Sequence, residues 1–228
     1  MNAGTATRVH RLLLVVLFML TACTTVPAPF GETPPQASQK QVRRLLRVSE
    51  RLLPLFPESL CEYFALKPSW KPNATMRRSG TIEITTALME LCQSDDQLAF
   101  VMAHELAHES ARHARRQLRC LWLQVIAATA AAAVVEKSGS SGTDAALAAG
   151  GIFLTSTMLG TLPAMRRMEH EADLAALEAI RRAGYDPVAA TAFWKRYASA
   201  RPTRETPEWR SNHPADATRI RVLEAASD

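Results

Sequence analysis

The stretch that most constrains this chain is His104-Glu105-Leu106-Ala107-His108, set in a predicted helix behind the apolar run Leu98-Ala99-Phe100-Val101. Two histidines four residues apart lie about 40° apart around a helix and one turn along it, so both imidazoles can reach one divalent ion. Glu105 is then placed to contact a water on that ion. A solvated turn with two surface histidines would leave the apolar flanks unexplained. The fold must therefore wrap this helix and bring a further ligand to it, because a catalytic zinc takes three protein ligands and a water. A third ligand from the same helix is excluded. The spacing used by metzincins would need Gly at 111 and His at 114, where this chain has Ala111 and Ala114. His113, nine residues after His104, is expected on the opposite face and in solvent.

A second predicted helix, from Arg166, offers Glu169-His170-Glu171-Ala172-Asp173. Glu169 and Asp173 are four apart and share a face, whereas Glu171 points about 200° away from Glu169. One face thus presents two carboxylates, one to bind the metal and one to accept the other N–H of a ligand histidine, which fixes its tautomer. Glu169 is the expected ligand. Read alone, this segment would be a surface helix salt-bridged through Arg166 and Arg167; the histidine pair changes its meaning.

Around these two helices the chain reads as α+β and mainly helical. Aromatics are only 6% of the residues, which favours close-packed helices over a sheet sandwich. An amphipathic helix is expected from Ser38 to Leu53, stopped by Pro54, with Val42, Leu45, Leu46, Val48 and Leu52 apolar. Tyr63 to Lys67 and Thr81 to Thr85 read as a small antiparallel sheet. Ser94 is the expected N-cap of the long helix, with Asp95 and Asp96 in its first turn and Arg115, Arg116 and Arg119 near its end. Residues 121–135 and 145–165 form two nearly charge-free arms around a polar Ser/Gly turn, an apolar helical hairpin at about 121–165. It has three uses open to it: a buried core pair, a surface element that dips into a membrane or lids a cleft, or a membrane-spanning hairpin. Gly184 and Pro187 stop the helix from Arg166, and further helices are expected over 187–200 and 215–226.

The N-terminus reads as a targeting segment. Residues 1–22 carry Arg8 and Arg11, an apolar run of nine residues and a small-residue end, the layout of a secretory signal that is too short to span a bilayer. Leu20-Thr21-Ala22-Cys23 resembles the lipobox of bacterial lipoproteins, which makes Cys23 the expected lipidation site and, with Thr24 after it, the outer membrane the expected destination, facing the periplasm. Residues 23–37 hold Pro27, Pro29, Pro34 and Pro35 and read as a tether, leaving 38–228 as the folded domain. Lys and Arg number 27 against 22 Asp and Glu, a net +5. Removing Arg8 and Arg11 leaves 25 against 22, or +3, too mild a charge to argue for nucleic acid. Export would put Cys61, Cys92 and Cys120 in an oxidising compartment. Cys61 and Cys92 flank the predicted strand pair and are the expected disulfide, the alternative being three reduced thiols.

The ordered set His104-Glu105-x-x-His108, Glu169-x-x-x-Asp173, Asn73-Ala74 with Gly80-Thr81-Ile82-Glu83-Ile84, and Gly184-Tyr185-Asp186-Pro187 with Phe193-Trp194, His213-Pro214 and Arg219 resembles the membrane-associated zinc peptidases related to HtpX and the type I CAAX prenyl protease, in particular their small periplasmic lipoprotein branch. The likeness covers about residues 40–226. It implies a gluzincin-like zinc peptidase domain, with the small sheet beside the active-site helix and one Zn²⁺ per chain. It implies His104, His108 and Glu169 as ligands, Glu105 as general base and Asp173 as the carboxylate behind His104. It makes His213 either an oxyanion donor or a plug in the fourth zinc position, and Arg219 a support for the site. The implied activity is endoproteolysis of misfolded or unassembled envelope proteins, with unfolded polypeptides as substrates, the membrane as a partner through the N-terminal lipid, and the outer-membrane assembly machinery as a further partner. An extended substrate is expected to add beside Thr81 to Thr85. The competing function is a chaperone-like or binding lipoprotein whose zinc site His213 holds closed. One departure is Arg77 and Arg78, where the family often has an apolar, Gly-rich stretch.

Overall fold

Ser38 opens the first helix as expected: its hydroxyl accepts from the Gln41 N–H at 3.2 Å while the Gln41 side chain accepts from the Ser38 N–H at 2.8 Å. The structure, a computed structural model, describes residues 33–77, 79–199 and 217–227. The chain divides into two units, Met1–Thr33 and Pro34–Asp228, and every helix and strand named here belongs to the second. Cys23, the signal segment and most of the tether lie outside the described residues, as does His213.

Helix α1 (Gln39–Leu52) buries Leu45, Val48 and Leu52. Three strands follow: β1 (Tyr63–Lys67), β2 (Ala74–Met76) and β3 (Thr81–Thr85), in the order β1-β3-β2. β1 runs parallel to β3, with Tyr63 opposite Thr81 and Lys67 opposite Thr85, and β2 runs antiparallel to β3, with Ala74 opposite Ile84. The sheet is therefore mixed. The tight turn is between β2 and β3, where Arg77 N–H donates to Thr81 O at 2.7 Å. Gly80 in that turn has φ +79°, and a Cβ there would stand 2.9 Å from the Leu60 carbonyl oxygen, so only glycine fits.

This topology replaces the expected antiparallel pairing of Tyr63–Lys67 with Thr81–Thr85 by a parallel one, and it corrects two further expectations. Because β3 is central, both of its edges are occupied, and among the described residues the open edges belong to β1 and β2. Cys61 and Cys92 are free thiols rather than a disulfide. Cys61 precedes the start of β1, whereas Cys92 follows the helix after the far end of β3, and parallel pairing holds those ends apart.

Thr85 ends β3 and caps helix α2 (Thr86–Leu91), its hydroxyl accepting from the Leu88 N–H. Ser94 then caps α3 (Asp95–Ser110), accepting from the Gln97 N–H at 3.2 Å, with Asp95 and Asp96 at the positive helix end. Every residue of α3 from Gln97 to Ala107 is buried. That enclosure explains the apolar flanks: α1, the sheet and later helices surround α3, with Phe64, Ile82, Leu98, Phe100, Met102, Ile180, Phe193 and Trp194 in the shared core.

The long helix does not run on to Arg119. It stops at Ser110, and Arg112 takes the left-handed conformation (φ 54°, ψ 40°) before α4 (His113–Lys137) begins in a new direction. α4 pairs with α5 (Gly142–Ser156) through buried Ala128, Ala145 and Ala149, and Gln124 donates to Thr157 Oγ1 at 3.2 Å and Thr161 Oγ1 at 2.6 Å. The outward faces are apolar and exposed, including Trp122, Leu123, Ile126, Leu147, Leu154 and Leu159, so the hairpin is not a buried core pair. By length and composition, α4 and the continuous helix over Gly142–Arg182 could each cross a membrane.

A π-helical turn (Thr157–Thr161) leads into α6 (Leu162–Arg182), which packs along α3. It ends as expected at Gly184, where φ is +72° and Tyr185 N–H donates to Ile180 O at 2.9 Å. α7 (Val188–Ser199) and α8 (Ala217–Ser227) close the other side of the core.

Candidate metal centre

The packing of α6 on α3 brings three potential ligand atoms together. His104 Nε2 and His108 Nε2 are 3.0 Å apart, His104 Nε2 is 3.5 Å from Glu169 Oε2, and His108 Nε2 is 3.4 Å from Glu169 Oε1. Ligands held tetrahedrally about 2.0–2.1 Å from a zinc ion stand about 3.4 Å from one another. The three separations bracket that value, and two imidazoles with one carboxylate are a donor set used by catalytic zinc sites. These residues fit a zinc ion. Among the described residues they are the one cluster of at least three such groups that could hold a metal.

A buried charge lattice stands behind the cluster. Asp173 Oδ1 lies 3.0 Å from His104 Nδ1, so the carboxylate sits behind the ring on the side away from the cluster. Arg219, fully enclosed, donates from Nε to Asp173 Oδ2 at 2.7 Å and from Nη2 to Asp173 Oδ1 at 2.8 Å, while its Nη1 is 2.8 Å from Glu169 Oε2. One guanidinium thus holds both carboxylates that α6 presents one turn apart. Its other face rests on Trp194, 4.0 Å from the ring centroid. Burial would raise the Asp173 carboxyl, but the hydrogen bonds from Arg219 and His104 outweigh it and hold Asp173 below the usual carboxylate range. Burial likewise works against a charged His104, yet Asp173 and Glu169 push its metal-free pKa up to about 9.

Glu105 follows His104 on α3 and is buried among the core-facing residues of that helix. Glu171 turns away as expected: it is half exposed and pairs with Arg116 Nη1 at 2.9 Å. Arg77 is tied to Glu83 at 2.5 Å on the sheet surface, and Arg78 lies outside the described residues.

His113 departs from expectation. It is buried rather than solvated, with Nδ1 2.9 Å from His108 Nδ1 and Nε2 3.3 Å from Glu171 Oε2. The left-handed Arg112 breaks the helix before His113, so the 100° per residue of an unbroken helix does not apply to it. Nothing in the local sequence of Trp194 marks it as the floor under Arg219.

The sequence model of peptidase family M48 matches residues 36–227. The chain belongs to peptidase family M48. This bears out the resemblance drawn from the motifs. M48 relatives include the mitochondrial metalloendopeptidase OMA1 of Schizosaccharomyces pombe, 32% identical over 154 residues, covering 67% of this chain and 43% of that protein. The beta-barrel assembly-enhancing protease of Escherichia coli K12 is 30% identical over 157 residues, covering 65% of this chain and 31% of that protein. The mitochondrial OMA1 of Bos taurus is 27% identical over 162 residues. The chain thus spans less than half the length of these M48 relatives.

Proposed function

We propose that the chain is a zinc-dependent metalloendopeptidase acting on misfolded or unassembled envelope polypeptides. The observation that carries this is the convergence of His104, His108 and Glu169 at ligand spacing, beside a buried glutamate on the same helix. Zinc in that position supplies Lewis acidity, lowering the pKa of water towards about 7 and polarising a scissile carbonyl. Glu105 takes the proton of the attacking water on its carboxylate and returns it to the departing amine nitrogen. Asp173 holds the His104 ring with its proton on Nδ1, which puts the Nε2 lone pair on the side of the metal position. Arg219 holds the Asp173 carboxyl below the usual carboxylate range and fixes Glu169 through its Nη1. His213 would serve as oxyanion donor or as a plug, the two roles having opposite consequences when it is removed.

Since β3 is enclosed, an extended substrate would pair along the outer edge of β2, which is open among the described residues and packs near α3. Recognition through backbone hydrogen bonds makes little demand on side chains and suits unfolded segments. A lipid on Cys23 would hold the 38–228 domain at the outer membrane, facing the periplasm, and the exposed apolar hairpin supports work beside a membrane. The name of the E. coli relative supports a connection with β-barrel assembly. The test is cleavage of a permanently unfolded protein by the chain and by Glu105→Gln: the substitution should lower the rate about 10²–10⁴-fold with zinc retained. Equal rates would refute the proposal.

A further inference from the structure

We propose that His113 is a positioning residue for His108, the inner member of a relay that runs from the surface to the metal centre. This rests on the metal-site reading above. A histidine that ligates through Nε2 carries its proton on Nδ1 and must donate it. His108 Nδ1 faces His113 Nδ1 at 2.9 Å, with the rings nearly perpendicular at 82°. If His113 Nδ1 accepts, its own proton lies on Nε2, which stands 3.3 Å from Glu171 Oε2. Glu171 is in turn held by Arg116 Nη1 at 2.9 Å. With both rings neutral, the order Arg116, Glu171, His113, His108 leaves one consistent placement of the protons, the one that puts the His108 lone pair on Nε2, toward the metal position.

The backbone is bent to make this contact. On an unbroken helix, His113 would lie about 140° around the axis from His108. The left-handed Arg112 redirects the chain and returns His113 to His108. A non-glycine residue held in that region is strained, and such strain collects at functional sites. The centre thus has a support on each histidine: Asp173 with Arg219 behind His104, and His113 with Glu171 behind His108.

The experiment is zinc affinity of the full chain, measured by competition with a chelator, for the unaltered protein, His113→Leu and His113→Asn. An asparagine Oδ1 occupies nearly the place of Nδ1 and keeps the acceptor, whereas leucine removes it. His113→Leu should weaken zinc binding about 10–100-fold and His113→Asn by no more than about threefold. Leucine binding as tightly as the unaltered chain, or asparagine binding as weakly as leucine, would overturn the proposal. Failure of the unaltered chain to bind zinc would instead overturn the metal site on which it rests. Should His113→Leu not fold, NMR of the zinc-loaded, ¹⁵N-histidine-labelled chain decides. A scalar coupling between His108 Nδ1 and His113 Nδ1 is expected, and a His108 protonated on Nε2 would overturn the proposal.

Discussion

Replacing Arg219 with methionine, which keeps much of the volume and removes the charge, is expected to cost more than most single changes in this domain. Arg219 makes two hydrogen bonds to Asp173 and one ion pair to Glu169, all at 2.7–2.8 Å, and all three side chains are at most 9% exposed. Charge-assisted hydrogen bonds contribute about 1.5–3 kcal/mol each, so simple addition would give about 4.5–9 kcal/mol. Addition overstates the loss, because the freed carboxylates can protonate or recruit water. Breaking a buried pair by removing one partner costs about 3–5 kcal/mol, and that is the expected destabilisation. For a domain of this size each kcal/mol lowers Tm by about 2–4 °C, giving a drop of roughly 6–20 °C. The assay is urea unfolding of the metal-free chain followed by circular dichroism. Asp173→Asn in the Arg219→Met background should cost less than it does alone, since the carboxylate it removes has already lost its partner. A loss below about 1 kcal/mol for Arg219→Met, the range of exposed pairs, would refute the view that this residue compensates the buried carboxylates of Glu169 and Asp173.

Burial pushes the Cys61 thiol up to about 11 and the Cys92 thiol up to about 12. At pH 8 their thiolate fractions are then about 0.1% and 0.01%, so Cys120 should be labelled well before either in the folded chain; a mapped Cys61–Cys92 disulfide would contradict this. Gly184→Ala should cost about 1–2 kcal/mol through its positive φ, because the Arg51 Nη2 that a new Cβ would meet can move aside. Gly80→Ala should cost more, because there the obstacle is the Leu60 backbone carbonyl; equal losses in urea unfolding would contradict that distinction.

What could be read in advance followed from local chemistry. Ser38, Ser94 and Gly184 mark helix ends because their side chains, or the lack of one, act within a turn of themselves. The histidine pair and the Glu169/Asp173 pair were legible because helical spacing puts each on one face. The parallel pairing of β1 with β3 was not, because the strand that makes the hairpin, β2, is only Ala74–Met76 and carries no alternating pattern. The disulfide expectation failed with the antiparallel reading it relied on. His113 was misplaced because an arginine in the left-handed region has no sequence signal of the kind glycine or asparagine would offer. The grip of Arg219 on Asp173 is equally silent locally, since the two are joined only when α8 closes against α6.

The central claim is that α3 and α6 together hold one metal ion, and zinc stoichiometry of the purified full chain and its Glu169→Ala variant tests it most directly. One zinc per unaltered chain, lost or greatly loosened when the α6 carboxylate is removed, is the predicted result. Zinc absent from the unaltered chain, or retained equally by Glu169→Ala, would contradict it.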